Sequence, residues 1–301
     1  MIITNKLGLP RAFVEMAQRD YTQDEKRYSV TALLKGTREA ILEKRHGNEI
    51  EQDVSDMIWL LFGQAVHSIL EQQEEEGHEL KETKLTMPIT VEGKSDIGEY
   101  APVEYTLSGI FDLYNAKEKK ITDYKTCSVW KVIYNDYTDW QKQLLIYAYM
   151  MRYTGFDVNC GEIVAIMKDH SKSKAKYDSN YPQYPVKVIR FDFTEQDFED
   201  IESFLLDKFN EIHSCENLSD EELPLCSQEE RYNSGDKFAV MKKRKKRALR
   251  VLDTKDDAEI WMNDNGGDYI ETRPGEDKKC AEYCNVAPFC SHYKGITKEG
   301  E

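Results

Sequence analysis

The 301-residue sequence predicts a mixed α/β fold: a central sheet of mixed strand direction flanked by helices. Three observations lead there. Apolar residues recur at helical spacing over 56–76, 139–153 and 195–213. Segments between and around those stretches alternate apolar and polar residues with period two, as half-buried strands do. The order, helix then strands then helix then strand, is that of a sheet covered by helices rather than of a bundle or a sandwich.

Taken along the chain, the first 50 residues read as mostly helical and polar, including SVTALLKGTREAILEKRH from Ser29 to His46. A stronger helix follows over Asp56–Glu76, where Ile58, Leu61, Phe62, Ala65, Ile69 and Leu70 form an apolar stripe that stops near Gly77. Residues 83–107 alternate around Pro88, Gly93 and Gly98, which suggests edge strands broken by turns. GIFDLYNAKEKKITDYKTC (109–127) reads as a hairpin turning at Lys117 and Glu118. A second clear helix, DWQKQLLIYAYMMRY, covers Asp139–Tyr153. Strands are expected at 161–168 and around 186–193, on either side of a polar loop, and a helix over Glu195–His213.

Charged residues make up 32% of the chain, and no apolar run approaches a membrane span. The N-terminus lacks the basic-then-apolar layout of a signal peptide, so the expected compartment is the cytoplasm. A net charge of −15 argues against a protein coated in basic surface. It leaves room for nucleic-acid binding through a local patch, because local rather than total charge decides that. Seven cysteines in such a chain point to metal ligation or burial rather than a disulfide framework.

The hairpin carries the chemistry. With its turn at Lys117–Glu118, Asp112 faces Asp123, and like charges directly opposed on a sheet are destabilising. Two such carboxylates tolerate each other if one binds a proton or a cation lies between them. Mg²⁺ or Mn²⁺ suits hard oxygen ligands. Lys125, two residues on, shares a face with Asp123 and can orient a water or neutralise charge on a phosphate. Asp, then Asp-x-Lys, is a kit for metal-assisted phosphodiester hydrolysis. The plainer alternative is a solvated hairpin whose aspartates pair with Lys117, Lys119 and Lys120. Upstream, Gly63 and His67 share a helix face four residues apart; downstream, Gln143 and Tyr147 do the same.

A Gly-x-x-x-His helix, a Gly-x-x-Asp strand, an Asp-x-Lys strand and a Gln-x-x-x-Tyr helix, in that order, resemble the RecB-like branch of the PD-(D/E)XK nuclease superfamily. The resemblance implies a restriction-endonuclease-like core over 56–215, within one decorated domain that adds a helical N-terminal region (1–55) and a metal-cluster region (216–301). It implies His67, Asp112 and Asp123 as ligands of Mg²⁺ or Mn²⁺, with the Tyr124 backbone carbonyl as a further one. Lys125 would be the catalytic lysine, with Gln143 and Tyr147 in support. Many relatives carry Glu where this chain has Asp123.

Cys280, Cys284 and Cys290 form C-x₃-C-x₅-C, and Cys226 precedes them by 53 intervening residues. Four thiolates can hold an iron–sulfur cluster or Zn²⁺. One remote cysteine plus a final trio resembles RecB-like nucleases whose C-terminal region is pinned by a 4Fe–4S cluster, although those relatives more often space the first two of the trio by two residues. Cys127, Cys160 and Cys215 read as ordinary thiols. In MKKRKKRALR, seven positive charges fall within nine residues from Lys242. Lys242, Lys243, Arg244, Lys245, Lys246 and Arg247 are candidates to contact DNA phosphates, or they form a solvated basic turn between two short strands. Tyr and Phe side chains near the site are candidates to stack unpaired bases, with no single residue indicated.

The sequence is thus expected to encode a Mg²⁺- or Mn²⁺-dependent deoxyribonuclease, an exonuclease acting on single-stranded DNA or DNA ends in recombination, repair or phage DNA metabolism. Stand-alone phage or bacterial versions are the relatives it most resembles, with CRISPR adaptation nucleases also related; a phage origin would place it in a bacterial host's cytoplasm. A recombination or single-strand-binding partner and a homo-oligomer are compatible with this reading, and a membrane is not. The competing class is a non-catalytic nucleic-acid-binding or recombination-partner protein that keeps the scaffold.

Overall fold

A six-stranded mixed sheet organises residues Met1–Leu218, and a three-stranded antiparallel sheet organises Ser219–Glu301, in the computed structural model of the chain. The structure describes residues 1–18, 24, 26–74, 76–94 and 100–299. No described helix is long and apolar enough to cross a membrane.

The first unit opens with elements too short for a periodic signal. Strand β1 (Ile2–Thr4) leads to helix α1 (Arg11–Ala17) and strand β2 (Arg27–Ser29). The helix expected over Ser29–His46 is two, α2 (Val30–Leu33) and α3 (Thr37–His46), parted at Gly36, which serves as the second helix's N-cap. Strand β3 (Glu51–Asp53) pairs in parallel with β1. The mostly helical reading of the first 50 residues is therefore corrected by two short strands within them, β1 and β2.

Helix α4 (Ile58–Leu70) is shorter than expected, and only Leu61 in it is buried. Phe62 and Ile69, two residues of its apolar stripe, are exposed. Strand β4 (Glu79–Lys94) runs unbroken through Pro88 and Gly93, against the turns expected there, and pairs along its length with β5 (Tyr100–Asn115). Because β4 pairs with β5 alone, Pro88 sits on an edge strand, where its missing N–H costs no ladder bond. Gly98 lies outside the described residues.

Strand β6 (Lys120–Cys127) joins β5 antiparallel. Helices α5 (Val129–Tyr134) and α6 (Thr138–Tyr153) then carry the chain to β7 (Cys160–Met167), parallel to β6. In the polar loop, Lys172–Tyr177 forms a short helix, α7, that the composition did not signal. Strand β8 (Val186–Asp192) and helix α8 (Glu195–Cys215) complete the unit, α8 starting on a capping box between Thr194 and Asp197. The sheet order is β2-β5-β6-β7-β8, with β4 on β5. Its core packs Leu144, Ile146 and Met150 of α6 with Leu205 and Phe209 of α8 against Leu107, Ile121 and Ile163 of the sheet.

In the second unit, β9 (Lys237–Met241) is flanked by β10 (Arg250–Leu252) and β11 (Tyr269–Arg273). Helix α9 (Lys255–Asn265) separates the latter two in sequence, and α10 (Lys278–Glu282) and α11 (Ser291–Glu299) follow.

Candidate active site

The site is made where β5 and β6 part. Their ladder pairs Asn115 with Lys120, Tyr114 with Ile121 and Leu113 with Thr122, and goes no further. The next opposed positions are Asp112 and Asp123. Instead of facing each other across a closed ladder, the strands separate, and Asp112 Oδ2 accepts the Tyr124 backbone N–H at 2.6 Å. Both carboxylates are buried. Lys119 pairs with Asp157, and Lys120 with Glu118 and Glu162, so neither neutralises the aspartates as the solvated-hairpin alternative required.

Lys125 Nζ lies 2.8 Å from Asp123 Oδ2, an ion-pair distance. The ammonium charge offsets that of the buried carboxylate. From α4, His67 places Nδ1 3.4 Å from Asp112 Oδ1, its ring edge-on to that of Tyr124. Gly63, one turn earlier, faces β6, where a Cβ would lie 3.3 Å from Thr126 Oγ1.

Helix α6 brings Gln143 and Tyr147 to the same place. The Tyr147 ring is buried against Gly109, where a Cβ would fall 2.5 Å from Tyr147 Cε1. The glycine of GIFD is thus required by a close approach. Beside it opens a cavity of about 330 Å³ lined by Ser29, Thr31, Lys84, Ser108 and Tyr147.

Sequence reasoning missed Glu82. It stands on β4 between the pairs Lys81–Leu113 and Thr83–Phe111, opposite Asp112, and its φ of 41° puts a non-glycine residue in the left-handed region. Among the described residues, His67, Glu82 and Asp112 are the trio of potential ligands whose donor atoms fall within 4.8 Å of one another. The signal was register: a single unbroken β4 places residue 82 across from 112, whereas strands broken at Pro88 and Gly93 do not.

The electrostatics fit a cation. Burial, then repulsion from Asp112, raises the Asp123 pKa, against the pull of Lys125. The Asp112 carboxylate raises that of His67. Partial desolvation and the charges of Asp112 and Glu71 push Glu82, although it is exposed at the surface, up to about 7. Burial pushes the Tyr147 hydroxyl up to about 12, with Gln143 opposing. The carboxylates of Glu82 and Asp112, with Asp123 beside them and the His67 imidazole at the edge, make an oxygen-rich ligand set suited to Mg²⁺ or Mn²⁺.

Residues 15–291 match the sequence family described as the PD-(D/E)XK nuclease superfamily. The chain belongs to that superfamily. It is therefore a nuclease, with DNA the substrate and divalent metal ions the cofactors that the family implies. Among solved structures, SSO0001 is similar over 65% of this chain and 80% of its own, at 16% identity and a TM-score of 0.44. A phage-related exonuclease from Haemophilus somnus 129PT is similar over 68% of this chain and 88% of its own, at 11% identity and a TM-score of 0.29. No curated protein matches the sequence.

The other candidate residues of this PD-(D/E)XK nuclease lie in its second unit. Cys226 precedes β9, Cys280 is in α10, Cys284 follows it, and Cys290 precedes α11. Asp277 ties these segments together, accepting from Arg231 at 2.6 Å and lying 2.8 Å from His292 Nε2, while Arg231 Nε donates to the Cys226 carbonyl. Burial, Asp277 and Cys290 raise the Cys280 thiol's pKa. Lys242–Arg247 form the exposed turn between β9 and β10. In the first unit, Cys127, Cys160 and Cys215 are buried thiols.

Proposed function

We propose that this nuclease is RecB-like and hydrolyses DNA as a Mg²⁺- or Mn²⁺-dependent exonuclease on single strands or ends. The observation that carries the reading is the convergence of His67, Asp112, Asp123 and Lys125 where β5 and β6 separate. His67, Asp112 and Asp123, with the Tyr124 carbonyl and Glu82 beside them, would hold the cation. When bound, it supplies Lewis-acid polarisation of the scissile phosphate and a more acidic attacking water. Lys125, oriented by Asp123, donates to that water and to the phosphate oxygen on which charge develops. The Tyr124 N–H fixes the Asp112 carboxylate, and Tyr147 and Gln143 back the fork from α6. Product carries a 5′-phosphate.

The cysteines Cys226, Cys280, Cys284 and Cys290 are proposed to hold a 4Fe–4S cluster that fixes the C-terminal segment. Supporting this, one remote cysteine precedes a final trio, the layout of the cluster-bearing relatives it resembles. Lys242–Arg247 are proposed to guide DNA. A role in recombination or repair, a single-strand-binding partner and a homo-oligomeric form complete the proposal.

The test is digestion of end-labelled single- and double-stranded DNA, linear and circular, with Mg²⁺ or Mn²⁺. Cleavage lost in Asp123→Ala with DNA binding retained supports the enzyme. A wild type that cuts none of these substrates with either metal would make it a binding protein instead. An anaerobically purified protein without iron or visible absorbance would remove the cluster.

A further inference from the structure

Past Lys125, the C-terminal end of β6 runs into a surface that the reaction above does not use. Four aromatic side chains there face solvent. Trp59 and Phe62 of α4 are 57% and 41% exposed, and Trp130 and Tyr134 of α5 are 52% and 74% exposed. They come as two pairs, Trp59 edge-on to Phe62 with centroids 6.2 Å apart, and Trp130 stacked on Tyr134 at 5.8 Å.

The scaffold fixes both pairs to one rim. Lys168, just past β7, donates its N–H to the Cys127 carbonyl at 3.0 Å. Asp169 accepts from the Ser128 hydroxyl at 2.7 Å and the Val129 N–H at 2.6 Å, clamping the start of α5 to the end of β7. Lys168 Nζ in turn lies 4.3 Å above the Trp59 ring, which draws α4 to the same rim. Cys127 is two residues, about 7 Å, beyond Lys125.

The segment that leaves the rim at Lys168 is basic. Between Lys168 and Lys187 the sequence holds five lysines and two acidic residues, in a chain whose net charge is −15. One of those acids is Asp169, committed to capping α5. Lys172, Lys174 and Lys176 of α7 follow directly.

We infer that this rim is a stacking platform for unpaired DNA, on which Trp59, Phe62, Trp130 and Tyr134 take successive bases while Lys168 and the α7 lysines take phosphates. Interface cores between proteins are depleted in charge, whereas here Lys168 lies over the Trp59 ring and three α7 lysines follow it in the chain; exposed rings with cations beside them bind single strands through base faces and backbone. A duplex keeps its base faces stacked internally and cannot use it. The inference rests on the nuclease reading for its orientation: the strand lying on the rim is the one that leads to Lys125.

The experiment is anisotropy of a fluorescein-labelled oligothymidylate in EDTA, alongside a labelled duplex, with Mg²⁺-dependent cleavage measured separately. Trp59→Ala and Trp130→Ala should each weaken oligothymidylate binding roughly 5- to 150-fold, the range for loss of one stacked base, and leave duplex binding unchanged. Trp59→Phe should restore most of the affinity, which separates stacking from misfolding. Lys168→Ala should lower the salt dependence by about one phosphate contact. Unchanged single-strand affinity in both alanine variants, equal losses on duplex, or a change in oligomeric state without a change in DNA binding would overturn the platform. Should wild type bind through these rings yet never cut, the nuclease reading fails and the platform stands. Should it cut while the variants bind normally, the platform alone fails.

Discussion

Replacing Gly109 by alanine tests whether the fork depends on close packing of Tyr147. The added Cβ would meet Tyr147 Cε1 at 2.5 Å and Val30 Cγ2 at 2.9 Å. Ordinary carbon–carbon contacts are about 3.5–4.0 Å, so roughly 1 Å must be found. Both neighbours are buried and have little room to retreat. Overpacking of this kind costs about 1–3 kcal/mol, and replacing a strand glycine returns about 0.5–1 kcal/mol. The net is a destabilisation on the order of 1–2 kcal/mol. For a unit spanning Met1–Leu218, at about 2–4 °C per kcal/mol, Tm should fall by roughly 2–8 °C. Thermal melting by circular dichroism reads this directly. Tyr147→Ala in the same background should cost less than the two single changes together, because it vacates the space the methyl needs. Gly63→Ala is the control: its Cβ meets only Thr126 Oγ1 at 3.3 Å, and a helix gains about 1 kcal/mol from the change. Its Tm should hold or rise. A Gly109→Ala protein as stable as wild type, or a Gly63→Ala protein that loses more, would refute the packing argument.

Three further outcomes follow from the same geometry. Lys125→Ala should lower the cleavage rate roughly 10²- to 10⁴-fold while Mn²⁺ affinity, measured by calorimetry, stays within a few-fold; equal loss of metal binding would show that the lysine holds the site together instead. Glu82→Gln should weaken Mn²⁺ binding by roughly 10–100-fold, and an unchanged isotherm would remove Glu82 from the ligand set. Asp53 accepts hydrogen bonds from the Ser55 hydroxyl, the Lys6 and Ser55 backbone N–H groups and the Thr4 hydroxyl, which hold its pKa well below the ordinary carboxylate range. A depressed folded pKa gives stability that is present above the unfolded value, about 3.9, and is lost as pH falls below it. Asp53→Asn should therefore melt earlier at neutral pH and show a shallower decline of Tm below about pH 4; parallel curves for the two proteins would exclude it.

How far the sequence reveals this site depends on whether local pattern or long-range pairing sets each part. The hairpin register was readable because a polar turn at Lys117–Glu118 fixes every pair up to Leu113–Thr122. Helix α6 was readable because its apolar positions face a core on both sides of Tyr147. The helix carrying His67 was readable as a helix but not as a surface, since an apolar stripe says nothing of whether protein covers it. Leu61 is buried, while Trp59, Phe62 and Ile69 are open to solvent. Glu82 was hidden because residues 83–107 read as edge strands broken by turns, whereas β4 runs unbroken from Glu79 to Lys94, a continuity set by its long-range pairing with β5. Strands of three residues, such as Arg27–Ser29, are shorter than any periodicity can resolve.

The opposed aspartates of GIFDLYNAKEKKITDYKTC now have a physical account. A closed ladder would have set Asp112 and Asp123 face to face, and the sheet opens at that step. What fills the opening is an excess of negative charge: when ionised, Glu82, Asp112 and Asp123 carry three charges, of which Lys125, paired with Asp123, offsets one. The protein's own responses all relieve that excess, by favouring the protonated forms of His67, Glu82 and Asp123. Each such proton is one that a divalent cation can displace, so the groups strained by their neighbours are the groups positioned to bind it. Folding and metal affinity are thus opposed here. The buried Asp123 carboxylate costs stability when ionised in the metal-free chain, and the Tyr124 N–H holds Asp112 in place beside it.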